Sequence, residues 1–203
     1  MVKRLISSKK SKNDYEKYKW FITSNDKIVI GGKSAEQNEE VVNSYKNDLK
    51  FSKYVVMHTK APGSPFSIIM SDKYNKRDLE ETAIFTGCFS RAWREKKKSV
   101  IIDVFLVEQI VKNKNMKTGT FGVIGKIDRK PVKLKLYLTK QNGKLRAIPF
   151  NAKNSIPIIP GKMSKDKFAE QLSIKLDIPM EEILNALPTG GFQTCWKQWF
   201  QDS

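Results

Sequence analysis

Residues Val132–Leu138 alternate without interruption: Val132, Leu134, Leu136 and Leu138 are aliphatic, and Lys133, Lys135 and Tyr137 fall between them. A period of two puts all the aliphatics on one face, the pattern of a half-buried strand. Asn142-Gly143 follows shortly after. Both residues tolerate the positive φ that a type I′ turn demands, so Leu145–Phe150 is expected to return antiparallel. A hairpin of this kind needs a sheet with one dry face and one wet face. That requirement excludes an all-helical bundle and a purely parallel α/β fold.

The rest of the chain agrees. Tyr18–Thr23 and Lys27–Ile30 flank the turn Ser24-Asn25-Asp26 and read as a second hairpin. Gly31-Gly32 ends it, and Ser34 can cap a helix over 35–46. Strands are expected at Tyr54–His58 and Phe66–Met70, joined by a loop containing Pro62-Gly63-Ser64-Pro65. One helix is expected from about Arg77 to Arg94, with Leu79, Ala83, Phe85, Cys88, Phe89 and Ala92 toward the core. Ser99–Val107 reads as a buried strand and Thr120–Ile124 as a short one. Asn151–Gly161 holds two prolines and no period. Ser164 can cap a helix to Leu176, a second helix ends near Leu187, and an aromatic tail runs from Phe192 to Phe200. The expected class is α+β: a mixed, largely antiparallel sheet with two packed helices, plus a small C-terminal helical unit. The expected division is a flexible basic arm at 1–14, a domain at 15–150, a linker at 151–163 and a helical extension at 164–203.

Charge then narrows the partners. The chain carries 38 Lys+Arg against 21 Asp+Glu, net +17. Residues 109–153 hold 12 of the cations and one anion, Asp128, whereas 154–203 are close to neutral. Like charges repel on compaction, so such a segment points to a polyanion supplied from outside, most simply RNA or DNA. A Lys-rich coding bias explains part of the excess but not its uneven placement. No apolar stretch is long enough to span a bilayer, and the N-terminus lacks the apolar core of a secretory signal. Two cysteines, Cys88 and Cys195, make neither a disulfide framework nor a CxxC zinc site. The expectation is a cytoplasmic protein without membrane, metal or cofactor.

A series of short blocks, in order, carries a resemblance. They are Trp20-Phe21-Ile22-Thr23 with Val29-Ile30-Gly31-Gly32-Lys33 and Gln37-Asn38-Glu39; then Met57-His58 with Pro62-Gly63-Ser64. Thr82-Ala83 with Ser90-Arg91-Ala92-Trp93 follows, and then Gly119-Thr120-Phe121 with Ile124-Gly125-Lys126. Together they resemble NFACT-R, the RNA-binding domain of the NEMF and RqcH ribosome quality-control proteins. The resemblance covers residues 18–135 and implies a stand-alone RNA-binding module with a C-terminal extension. Its implied partners are tRNA or ribosomal RNA and the large ribosomal subunit. The loop after His58 departs from many members, having Lys60, Pro62 and Pro65 where they carry a second histidine and an acidic residue.

Each candidate has a plainer reading beside it. Gly31-Gly32-Lys33 can hold a phosphate on backbone N–H groups or be a simple strand-to-helix turn. His58 is the only histidine; it can be structural, or it can stack on or bond to RNA with Lys60 nearby. Arg91 and Arg94 flank Trp93, with Lys96 and Lys97 next to them; the arginines can fork onto phosphate while Trp93 anchors the core. Lys114, Lys117, Lys126, Arg129, Lys130, Lys133 and Lys135 form the basic stretch, either an RNA surface or a solvated edge kept from aggregating. The C-terminal helices have helix-turn-helix spacing, but Glu181 and Glu182 suit a protein partner better than DNA. No catalytic residue is assigned. The alternatives are a DNA-binding or DNA-sensing protein, and an RNA-modifying enzyme with His58 as its candidate.

Overall fold

The computed structural model describes residues 14–194. Residues 1–13 of the expected arm, and the tail with Trp196, Trp199 and Phe200, lie outside them. In chain order the elements are β1 (Lys19–Ile22), β2 (Ile28–Gly31), α1 (Ala35–Lys46), β3 (Val55–Thr59), β4 (Ser67–Ile69), α2 (Lys76–Cys88), α3 (Arg91–Arg94) and β5 (Ser99–Leu106). They continue with β6 (Ile110–Val111), β7 (Gly122–Val123), β8 (Asp128–Lys133), β9 (Leu136–Gln141), β10 (Lys144–Ile148), β11 (Ile156–Met163), α4 (Lys165–Leu176), α5 (Met180–Ala186) and β12 (Phe192–Thr194).

The main sheet has the order β1-β2-β4-β3-β5-β8, and each neighbouring pair is antiparallel. Its strands are short apolar runs because both faces are dry at one end. Trp20, Ile30, Val56 and Ile68 pack with Val41, Val42 and Tyr45 of α1. Their chain neighbours Phe21, Val29, Val55, Met57 and Ile69 pack with Ala83 and Phe85 of α2 on the other side. The second sheet, β10-β9-β11-β12, packs with α4 and α5 around Leu136, Leu138, Ile158, Phe168 and Phe192. Trp93 belongs to that core, fully buried, with its indole N–H donating to the Gly191 carbonyl at 3.0 Å. The fold is therefore α+β.

The Asn142-Gly143 hairpin forms in the expected register, Lys144 opposite Gln141, with φ 49° and 74° at the turn. Ser34 caps α1 through the Gln37 N–H, and Ser164 caps α4 through Lys167. Four expectations differ. The alternating run 132–138 is two strands: its first part pairs with β5 and its second with β10 and β11. The alternation survives the change of sheet, because Leu134, Leu136 and Leu138 all turn into the second core. The helix expected over 77–94 breaks after Cys88, where the Ser90 hydroxyl donates to the Gly87 carbonyl and accepts from Ala92 to start α3. The linker at 151–163 contains β11, with Ile156 opposite Leu138 and Ile158 opposite Leu136. Its prolines hide the period, and Pro160 sits at a register shift, where a missing N–H is tolerated. Finally, β5 is only half-buried: Ile102 packs on the α2 side, Phe105 on the α1 side, and Ile101 is 42% exposed. On the face away from α2, β5 is covered only at its Phe105 end, where Phe105 joins the α1 core.

Candidate nucleic-acid interface

Three segments remote in sequence meet in one groove of about 580 Å³: the turn Gly32–Ser34, the loop His58–Phe66 and the segment Thr118–Phe121. Asn38 of α1 ties the first two. Its carbonyl oxygen accepts the Phe66 N–H at 3.1 Å, and its amide donates to the Ser64 carbonyl at 3.4 Å. Gly32 allows this approach, since a Cβ there would stand 2.5 Å from the Asn38 backbone nitrogen. Within the loop, the Ser64 hydroxyl accepts the Thr59 N–H at 2.9 Å. The third wall is stapled by Glu39, which accepts from Gly119 N–H at 2.7 Å and from the Lys112 ammonium at 2.8 Å. These bonds hold the Glu39 carboxyl below its usual range, the Lys112 bond most of all.

The floor is aromatic. The His58 ring stacks on Phe66 at 4.4 Å, and Phe66 meets Phe121 edge to face at 5.3 Å. Nδ1 of His58 is 2.7 Å from the Thr59 carbonyl, which puts the proton on Nδ1 and leaves Nε2 as an acceptor. Burial lowers the His58 pKa from its usual value, against the pull of the Thr59 carbonyl and Asp103. Asp103, opposite His58 in the β3–β5 register, pairs with Arg129 at 3.1 Å instead of bonding the imidazole. That arrangement suits a stacking surface, with Asp103 acting on His58 through space only.

The sequence candidates divide by position. Lys33 and Lys60 are exposed and line the groove, while Arg91 is exposed beside it and its backbone N–H donates to the Gly63 carbonyl at 2.7 Å. Lys114 and Lys117 are exposed on the loop leading into the third wall. Arg129 and Lys133 share the open sheet face with Asp103 and Ile101, by register with β5. Lys130 does not join them. It pairs with Ile102 and so points to the α2 side, because neighbouring strand residues alternate faces. Lys126 sits 3.6 Å from Asp128, and Lys135 lies over the Tyr137 ring between the two sheets. Arg94, Lys96 and Lys97 are exposed around the end of α3, with Lys97 paired to Glu95 at 2.7 Å. Of the phosphate turn, Gly31 is the last residue of β2, and the Lys33 N–H already donates to Gln37 at 3.0 Å. The turn is thus partly occupied by its own helix. Three cations went unremarked in the sequence, Lys19, Arg146 and Lys165, because only the tertiary fold gathers them.

Among the described residues, no group of three or more His, Cys, Asp or Glu could hold a metal ion. No helix among them is long and apolar enough to cross a membrane.

Comparison with known proteins identifies the family. Residues 17–125 match the NFACT protein RNA binding domain. A Drosophila melanogaster protein, ribosome quality control complex subunit NEMF homolog, is 30% identical over 114 residues, covering 55% of this chain and 11% of that one. The NEMF subunits of Mus musculus and Homo sapiens are each 27% identical over 129 residues, 61% of this chain. The chain spans about a tenth of the length of these relatives. A solved structure, the C-terminal of the fibronectin/fibrinogen-binding protein from Streptococcus suis, aligns over 66% of this chain and 50% of that chain, at 20% identity and a TM-score of 0.47.

Proposed function

Because the chain belongs to the NFACT RNA-binding domain family, we propose that it binds tRNA or ribosomal RNA in ribosome-associated quality control, at the groove and the adjoining open sheet face. The observation that carries this reading is the convergence of Gly32–Ser34, His58–Phe66 and Thr118–Phe121 on one groove with exposed cations at its edge. The aromatic floor offers unpaired bases a stacking surface, and the cations offer phosphates a counter-charge. The chain acts by binding; the ring of His58 serves contact, not proton transfer. The large ribosomal subunit is the proposed site of action, and the domain at 15–150 is the proposed RNA-binding unit. The α4–α5 unit, with Glu181 and Glu182 on α5, is the proposed docking element for a protein partner.

The magnitude of the electrostatic part follows from the cations. Neutralising one phosphate each, the six exposed side chains Lys33, Lys60, Arg91, Lys114, Lys117 and Lys133 give a log–log salt slope of about −4 to −5. Filter binding of tRNA across a salt series measures it, with duplex DNA as competitor. A steep slope with tRNA preferred supports the proposal. A slope near zero, or equal competition by duplex DNA, overturns it.

A further inference from the structure

Beyond Lys33 the surface sinks into a second cavity, of about 610 Å³, between β1, β10 and α5. Lys33 and Phe89 line both it and the groove. Trp20 lines it too; the residue is 2% exposed, and its indole N–H has no hydrogen-bond partner. The Arg146 guanidinium lies 4.2 Å from the Trp20 ring centre. It donates once, to the Leu145 carbonyl at 3.0 Å, and its buried Nε–H is unpaired. Two residues lining one cavity therefore each carry a buried N–H without a partner.

Lysines from distant elements join them. The Lys19 ammonium is 5.0 Å from the Phe89 ring centre and donates to the Asn185 carbonyl at 3.3 Å. Lys165 donates to the Leu187 carbonyl at 3.2 Å. These contacts cap the end of α5 and use one of three donors on each ammonium. They do not account for Arg146 or the indole. Burial and the charges of Lys165, Lys33 and Arg146 bring the Lys19 pKa down to about 8. The fold thus holds these cations together against their repulsion.

The charge count selects the ligand. Five cations and three carboxylates line the cavity. Lys144 pairs with Glu16, Glu182 accepts the Leu145 N–H at 2.9 Å, and Glu181 is exposed. Among the described residues, no carboxylate is in ion-pair contact with Lys19, Lys33, Arg146 or Lys165. The lining is left at net +2, which a phosphate monoester near its second ionisation matches and an internal phosphodiester, with one charge, does not. Phe85, Phe89 and Leu184 supply an apolar wall beside the charges.

We propose that this cavity binds the phosphate monoester of a nucleotide, either the phosphorylated end of an RNA strand lying in the groove or a free nucleotide. The strand-end form rests on the RNA-binding reading; the free-nucleotide form does not. The test is binding of one short oligoribonucleotide carrying a 5′-phosphate, a 3′-phosphate or neither, with AMP as a separate titrant. Arg146→Gln and Lys165→Gln are compared with the parent, and circular dichroism checks folding. A phosphorylated end preferred at least tenfold, with the preference falling toward one in either folded variant, supports a strand end. AMP binding that weakens in the variants supports the free-nucleotide source. Equal binding of all three oligonucleotides together with no AMP binding overturns the proposal, while binding of the unphosphorylated strand reports on the groove separately. If neither variant folds, Lys33→Gln, at the exposed mouth, is read by the ratio of phosphorylated to unphosphorylated binding alone, because Lys33 also lines the groove.

Discussion

Replacing Asn38 by alanine tests whether the groove is built as described. The side chain makes two bonds across it, to the Phe66 N–H at 3.1 Å and the Ser64 carbonyl at 3.4 Å. The first matters more. Phe66 is 5% exposed, so its N–H has little access to water once Asn38 is gone. A buried donor left unpaired costs about 1–3 kcal/mol. The longer second bond adds at most a few tenths of a kcal/mol, since a carbonyl tolerates losing one partner better. The total is about 2 kcal/mol, which in a chain of this size lowers Tm by roughly 4–8 °C. Function changes with it. The Phe66 backbone carries the ring on which His58 stacks and which Phe121 meets edge to face. Asn38→Ala is therefore expected to weaken RNA binding by more than the loss of one neutral contact, while the salt slope stays near its parent value, because no cation is removed. Thermal melting and a tRNA titration at several salt concentrations measure both. An unchanged Tm with unchanged affinity refutes the assignment of Asn38 as the tie. A flattened slope refutes the separation of shape from charge.

Three further outcomes are expected. Lys60→Gln with Arg91→Gln removes two phosphate contacts and makes the salt slope shallower by about 1.4–1.8, read from the same titrations. Trp93→Ala empties a fully buried site that joins α3 to the second sheet, with an expected loss of about 3–5 kcal/mol in urea unfolding; a loss below 1 kcal/mol would show that the two cores do not depend on it. Lys19 binds its proton more weakly folded than unfolded, being lowered from 10.5 to about 8. The unfolded chain thus holds more protons between those values, and stability rises with pH across about 8 to 10.5. The groups around Lys19 are Glu16, Lys33, Lys144, Arg146, Lys165, Glu181 and Glu182, so the informative quantity is a difference. The parent should gain on Lys19→Met as pH rises through that window, and parallel curves would count against a perturbed Lys19.

Local rules carried much of the fold. Ser34, Ser164 and Asn142-Gly143 act through bonds or dihedrals within a few residues, and each does in the structure what its sequence position demands. The alternation at 132–138 also held, face by face, although the run changes sheets in its middle. What alternation does not contain is the identity of the partner strand. That is why the segment of β11 reads as a linker, and why β5 reads as buried along its whole length although only its Phe105 end is covered on both faces. The groove was legible only as separate motifs, Gly31–Lys33, His58–Ser64 and Gly119–Phe121, whose order resembles a known domain.

By itself the sequence determined the antiparallel hairpins, the helix starts, the surplus of cations and the family. Only the tertiary structure decided which cations act together. Arg129 and Lys133 face solvent while their neighbour Lys130 turns to α2. Lys19, Arg146 and Lys165, from three distant elements, converge on one cavity. Charge adds along a sequence in any order, but its effect on a ligand depends on distance and on exclusion of water. Both are set when β1, β10 and α5 close on one another.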